Sequence, residues 1–135
     1  MSEAIDALLA AARDVQKNAY APFSRFRVGA ALETTDGSIF PGCNIENASF
    51  GVTMCAERVA IGNAIAAGVR SFRRMVLVTD APYPESPCGA CRQVLVEFAP
   101  DIEVISVAPS GEQRKWKASD LLPDRFLFPV EGQNT

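Results

Sequence analysis

The segment RMVLVTD, residues 74–80, is a continuous apolar run of strand length, and a run apolar on both faces has to be covered on both. A second strand candidate, EVISVA, follows at 103–108. A helix-patterned segment stands before each: residues 55–67, stopped by Gly68, and CGACRQVLVEFA at 88–99, ended by Pro100. Strands joined through helices pair in parallel by right-handed crossovers. Upstream, Ile5, Leu8, Leu9, Ala12 and Val15 recur at helical spacing over residues 4–17. RVGAALET and SIFPGC form a hairpin through the turn signal at Asp36 and Gly37. RKWKA supplies a last strand and SDLLP a short helix. The expected fold is α/β, a three-layer α/β/α sandwich on a mixed five-stranded sheet, with residues 1–135 as a single domain.

The charge balance narrows the partners. The net charge of −3 provides no broad basic field for a phosphate backbone. One tryptophan and two tyrosines offer little surface on which a single strand could stack. The first helix carries Glu3 and Asp6 with no leading positive charge, and its longest apolar run is too short for a signal core or a membrane span. A cytoplasmic protein that binds neither nucleic acid nor membrane is expected. In a reducing compartment, four cysteines point to metal or catalysis before disulfides.

Cys88 and Cys91 lie three apart at a helix start, on one face of its first turn. Cys55 opens the other crossover helix. Both helix N-termini follow loops on the side of an open α/β sheet where ligand sites form, and a helix N-terminus favours the thiolate. Three converging thiolates fit zinc with a fourth position left to water, the catalytic rather than the closed structural pattern. The remaining cysteine, Cys43, reads as a buried small hydrophobe.

The chain has no histidine, so the proton carrier must be of another type. Glu57 stands two residues after Cys55, about 200° around a helix of 3.6 residues per turn, so the two share no lateral face. Both can address a metal beyond the helix end, with Glu57 beside its water rather than on it. Zinc with three thiolates carries a net negative charge, and Arg58 is placed to draw some of that charge back. A lone C-x-x-C also serves redox pairs and structural zinc sites. Glutamate and arginine in a first turn are often only solvated charges. The combination of CAE at one helix start and PCGAC at the next is far more specific.

These motifs resemble the cytidine deaminase family in its small, homotetrameric, three-cysteine form. The wider zinc deaminase class carries H-x-E followed by P-C-x-x-C, and this chain has CAE at the first motif. The resemblance runs from YAPFSRFRVGAAL through GCNIENASFGVTMCAERVAI and SPCGACRQVLVEF to DLLPDRF. It implies one zinc per chain on Cys55, Cys88 and Cys91, with Glu57 as general acid and base. It also implies hydrolytic deamination of cytidine and 2′-deoxycytidine at C4, with ammonia released, in pyrimidine salvage. By the same likeness Asn44 and Glu46 of NIEN hold the ribose hydroxyls, Phe26 lines the base pocket, and Ala56 is a further substrate-binding residue. Phe126, or Phe128 two residues on, closes a neighbouring subunit's site in a homotetramer with shared sites.

Two alternatives are carried forward. A blasticidin-S-type aminonucleoside deaminase would use the same zinc chemistry, but NIEN suits an ordinary ribose. A non-catalytic zinc-stabilised interaction domain would explain the cysteines and leave Glu57 and NIEN without a task. A thioredoxin-like pairing of Cys88 and Cys91 would leave Cys55 idle. Gly62, inside a helix, costs about 1 kcal/mol relative to alanine, and close helix packing is its expected reason.

Overall fold

In the computed structural model, residues 2–129 are described. The helices are α1 (Glu3–Gln16), α2 (Ala56–Ala66) and α3 (Gly89–Phe98). The strands are β1 (Val28–Thr34), β2 (Ile39–Cys43), β3 (Phe72–Thr79), β4 (Glu103–Val107) and β5 (Gln113–Lys117). The expected element order holds, with ends shifted by one or two residues. Two elements differ: a 3₁₀ turn, Phe50–Val52, stands between β2 and α2, and the short helix expected at SDLLP is a 3₁₀ turn, Ala118–Leu121. Pro123 follows closely and cannot continue a helix.

The sheet order is β2-β1-β3-β4-β5. β1 pairs antiparallel with both β2 and β3, so β2 and β3 point the same way with β1 between them. β3 pairs parallel with β4, and β5 closes the far edge antiparallel. The crossovers β2–α2–β3 and β3–α3–β4 step across the sheet in one direction. Right-handed connections therefore put α2 and α3 on the same face. The other face falls to α1.

Alternation along the strands divides the core accordingly. Ala30, Leu32, Met75, Leu77 and Val104 face α2 and α3, packing with Ala60, Ile61, Ala64 and Leu95. Ala31, Val76, Val78, Ile105 and Val107 face Ile5, Leu8, Leu9 and Ala12 of α1. Ser2 caps α1 by accepting a hydrogen bond from Ile5 N. Among the described residues, no helix is long and apolar enough to cross a membrane.

The shared direction of β2 and β3 fixes the site. The loop after Cys43 and the loop after Thr79 leave the same edge of the sheet, and each ends at a helix N-terminus. Close packing then sets the height of α2. A Cβ on Gly42 would lie 2.5 Å from Ala56 O and nearer still to Ala60 N. Gly42→Ala must lift α2, and with it Cys55 and Glu57, from the sheet. The expected cost is about 1–3 kcal/mol of stability, as for overpacked cores, together with weakened zinc retention. Thermal denaturation and metal analysis of the variant measure both. Gly62 departs from expectation: among the described residues, a Cβ there would meet nothing within 4 Å.

Candidate metal centre and active site

Cys55 and Cys88 are the N-cap residues of α2 and α3, with extended backbones (φ −76°, ψ 151° and φ −68°, ψ 168°). Neither side chain caps its helix, so both sulfurs are free to turn outward. Cys91 lies in the first turn of α3 and is fully buried. The three Sγ atoms lie within 4.8 Å of one another, with Cys55 and Cys88 3.7 Å apart. Tetrahedral zinc with bonds of about 2.3 Å spaces its sulfurs by about 3.8 Å, so the cluster has the dimensions of such a site.

Charge adds a second test of fit. Hydrogen bonding from Cys91, helped by Arg58 and Cys88, brings the Cys55 thiol down to about 5 against burial. Donating to Cys55 and being buried push the Cys91 thiol up. Alone, the three sulfurs share protons, because adjacent thiolates repel. A divalent cation is what lets all three ionise.

Glu57 is 4 % exposed, in the first turn of α2. Burial pushes its carboxyl up to about 7, and the charge of Cys55 pushes the same way. Hydrogen bonds from its own backbone N–H and from Cys91 oppose the rise, which places the carboxylate beside the sulfur cluster. A buried acid poised near neutrality can exchange protons in either direction, as a general acid and base must.

Arg58 turns back over the cluster. Its Nη2 donates to Thr53 O at 2.8 Å and to Cys55 Sγ at 3.9 Å. Burial works against the cation, but the Cys55 sulfur and the charges of all three cysteines outweigh it and raise its pKa. Arg58 is thus placed to draw charge from the Cys55 sulfur. Arg58→Gln is expected to move the rising limb of the pH–activity profile to higher pH. A kcat series across pH checks this, and an unmoved limb counts against it.

Phe26, Asn44, Glu46, Cys55, Ala56, Glu57 and Cys88 line one cavity of about 280 Å³. Asn44 is structural as well as exposed to the cavity. Its Nδ2 donates to Phe26 O at 2.8 Å and its Oδ1 accepts from Val28 N at 2.9 Å, leaving one N–H and one lone pair for a ligand. Glu46 Oε1 accepts from Phe23 N (2.9 Å) and Ser24 N (3.1 Å), and Oε2 accepts from Ser24 Oγ. These bonds hold the loop before β1 against the cavity that Ser24 and Phe26 line, with Arg25 in the left-handed region at φ 61°. Phe126 lies elsewhere, beside Gln93 and Glu97 of α3, and is 72 % exposed. Cys43 is only half-buried and stands apart from the cluster; burial raises its thiol.

Arg92, Ser24 and Glu85 were not expected from the sequence. Arg92 Nε donates to Pro87 O (2.8 Å), Nη2 to Ser86 Oγ (3.1 Å) and Nη1 to Leu121 O (3.2 Å), clamping the loop that delivers Cys88. The adjacency of Arg92 to Cys91 in sequence was the available signal.

Three cysteines and a buried acid, at two crossover helix starts, define a mononuclear metal-dependent hydrolase of α/β/α sandwich architecture. Comparison with known proteins narrows the class. The model of the cytidine and deoxycytidylate deaminase zinc-binding region matches residues 2–107, and the chain belongs to that family. It is 43 % identical to a cytidine deaminase of Sporosarcina psychrophila over 123 residues, 90 % of each chain. It is 45 % identical to a cytidine deaminase of Halalkalibacterium halodurans, over 88 % of this chain and 91 % of that one. The crystal structure of cytidine deaminase from Burkholderia pseudomallei matches with a TM-score of 0.88 at 48 % identity, covering 93 % of this chain and all of that one.

Proposed function

We propose that this chain is a zinc-dependent cytidine deaminase that converts free cytidine and 2′-deoxycytidine to uridine and 2′-deoxyuridine. The observation that carries the reading is the buried Glu57 carboxylate beside a three-sulfur cluster, in the lining of one cavity that Asn44 and Glu46 also line. Cys55, Cys88 and Cys91 hold the zinc, which when bound supplies a Lewis acid that brings the ionisation of water near neutrality.

The rest of the chemistry falls to the chain. Glu57 takes a proton from the water that adds to C4 and passes it to N3. It then delivers the second water proton to the exocyclic amino group. The C4–N bond breaks, ammonia departs, and the ring is left as uracil. Water, rather than any second substrate, balances the reaction. The spare N–H of Asn44 and the spare Oε2 lone pair of Glu46 engage the ribose hydroxyls, and Phe26 packs on the base. α2 starts without a side-chain cap, so the Ala56 N–H is a donor open to the base.

The active assembly is a homotetramer with shared sites, in the cytoplasm, serving pyrimidine salvage. Phe23, Phe50, Phe126 and Phe128 are each more than half exposed, in two edge-to-face pairs (Phe23–Phe50 and Phe126–Phe128) of the kind that a further subunit covers. Gly62, with open space before it, lets another backbone approach α2 closely. Phe126→Ala is expected to lower kcat/KM by roughly 10-fold or more, the scale of an aromatic anchor at an interface. A larger loss in Phe128→Ala would assign the closing role to Phe128 instead.

The test is ammonia release, with the cytosine-to-uracil absorbance change, from zinc-loaded protein given cytidine, 2′-deoxycytidine, blasticidin S and a short cytosine-containing DNA strand. Turnover of the two free nucleosides alone is expected. Turnover of blasticidin S alone would keep the zinc chemistry and overturn the ribose roles of Asn44 and Glu46. Silence on all four, with zinc bound, would favour an interaction domain.

A further inference from the structure

Glu85 stands in the wall of the same cavity with no task in the scheme above. It lies in the loop between β3 and α3, three residues before Cys88, and lines the cavity together with Ser86 and Cys88. It is half-buried and, among the described residues, has neither a hydrogen-bond nor an ion-pair partner. Its neighbours do not let it drift. Arg92 grips Ser86 Oγ and Pro87 O, the two residues that follow it. A carboxylate on a clamped loop, facing a cavity with nothing to bind, is positioned for a ligand.

We propose that Glu85 is a specificity-determining residue: its carboxylate is an acceptor wall at the reacting end of the cavity, selecting cytosine nucleosides whose C5 edge offers a hydrogen-bond donor, such as a hydroxymethyl group, over those with a methyl group or an anion there. This rests on the deaminase reading, in which C4 of the base is turned to the cysteine cluster.

The assignment to the C5 edge follows from the ring itself. With C4 at the cluster, N1 and its sugar, opposite C4 on the ring, point away from it, toward the Asn44 and Glu46 proposed above to hold the ribose. One side of the ring then carries N3 and O2, both acceptors, and a carboxylate against them would set acceptor on acceptor. That side is also where Glu57 works, from α2. The opposite side carries the outer N–H of the amino group and C5–H. Only this side can sit against an unpaired carboxylate without penalty. A hydroxymethyl group on C5 would donate to it, a methyl group would strip it of water with no replacement, and a carboxyl group would repel it.

The test uses the zinc-loaded full chain and its Glu85→Gln and Glu85→Leu variants. Substrates are 2′-deoxycytidine and its 5-methyl, 5-hydroxymethyl and 5-carboxy forms, compared as ratios of kcat/KM within each protein. The wild type is expected to favour hydroxymethyl over methyl by about 10-fold or more, the scale of a hydrogen bond to a charged group, and to reject the carboxy form. Glu85→Leu should reverse the first preference. Glu85→Gln, which keeps an acceptor oxygen without the charge, should retain part of it and admit the carboxy form. Calorimetric binding of 5-hydroxymethyl-2′-deoxyuridine against thymidine reads the same preference without turnover. Melting temperature and zinc content establish that each variant is folded, and the wild type with Glu85→Gln carries the test if Glu85→Leu is not. Ratios indifferent to Glu85, with 2′-deoxycytidine still turned over, would overturn this proposal alone. Silence on 2′-deoxycytidine itself would overturn the deaminase reading and this proposal with it.

Discussion

A zinc-loaded Glu57→Gln protein is expected to keep its metal and its fold and to lose roughly 10²–10⁴-fold in turnover, the contribution typical of a positioned general acid and base. Glutamine has the same shape. Its side-chain oxygen can still accept from its own backbone N–H, so the first turn of α2 has no reason to move. What it cannot do is take up a proton and give it back. The stability readout separates this role from a structural one. Glu57 is a buried carboxylate whose burial opposes its charge, and an amide in its place removes that cost. The melting temperature of the variant should therefore equal or exceed that of the wild type while ammonia release collapses. Retained turnover would remove Glu57 from the chemistry. A collapse in melting temperature would make it a structural residue.

The layers of the fold were legible because the sequence alternates helix-period and strand-length apolar segments. The crossover rule then converts that order into an α/β/α sandwich. The position of β1 between β2 and β3 was not legible. RVGAALET and SIFPGC read only as a hairpin, and nothing local says on which side of the hairpin β3 will add. That placement makes β2 and β3 parallel and brings Cys55 and Cys88 to one edge of the sheet. The cysteines, Glu57 and Arg58 could be named in advance because each lies within a turn of a helix start, where side-chain direction follows from sequence spacing. Contacts across long separations could not. Glu46 reaches Ser24 over 22 residues, Arg92 reaches Leu121 over 29, and the tight seat of α2 on Gly42 exists only once the sheet is formed. Gly62 shows the same limit from the other side. Close packing was a sound reason for a glycine in a helix, but the described residues supply no neighbour there.

Cys91→Ala should release the zinc, and the loss should exceed the roughly 10–100-fold in affinity or activity that removal of an outer-shell partner costs. Cys91 is the buried member of the cluster, and its sulfur is what brings the Cys55 thiol down most. Without it, two sulfurs 3.7 Å apart remain at the open end of the site, with two coordination positions to fill instead of one. Loss of the metal also removes the cation that allows adjacent thiolates to coexist, so the melting temperature should fall as well as activity. Thiol titration makes the test specific to a three-sulfur site. In the zinc-loaded wild type only Cys43 should react, and slowly, because it is half-buried and its thiol is raised. A chelator should then expose Cys55, Cys88 and Cys91 together. A redox pair of Cys88 and Cys91 would instead leave Cys55 reactive throughout and indifferent to the chelator. Zinc retained at the wild-type level in Cys91→Ala, with turnover intact, would mean that the metal is held elsewhere and that the proximity of the three sulfurs has another cause.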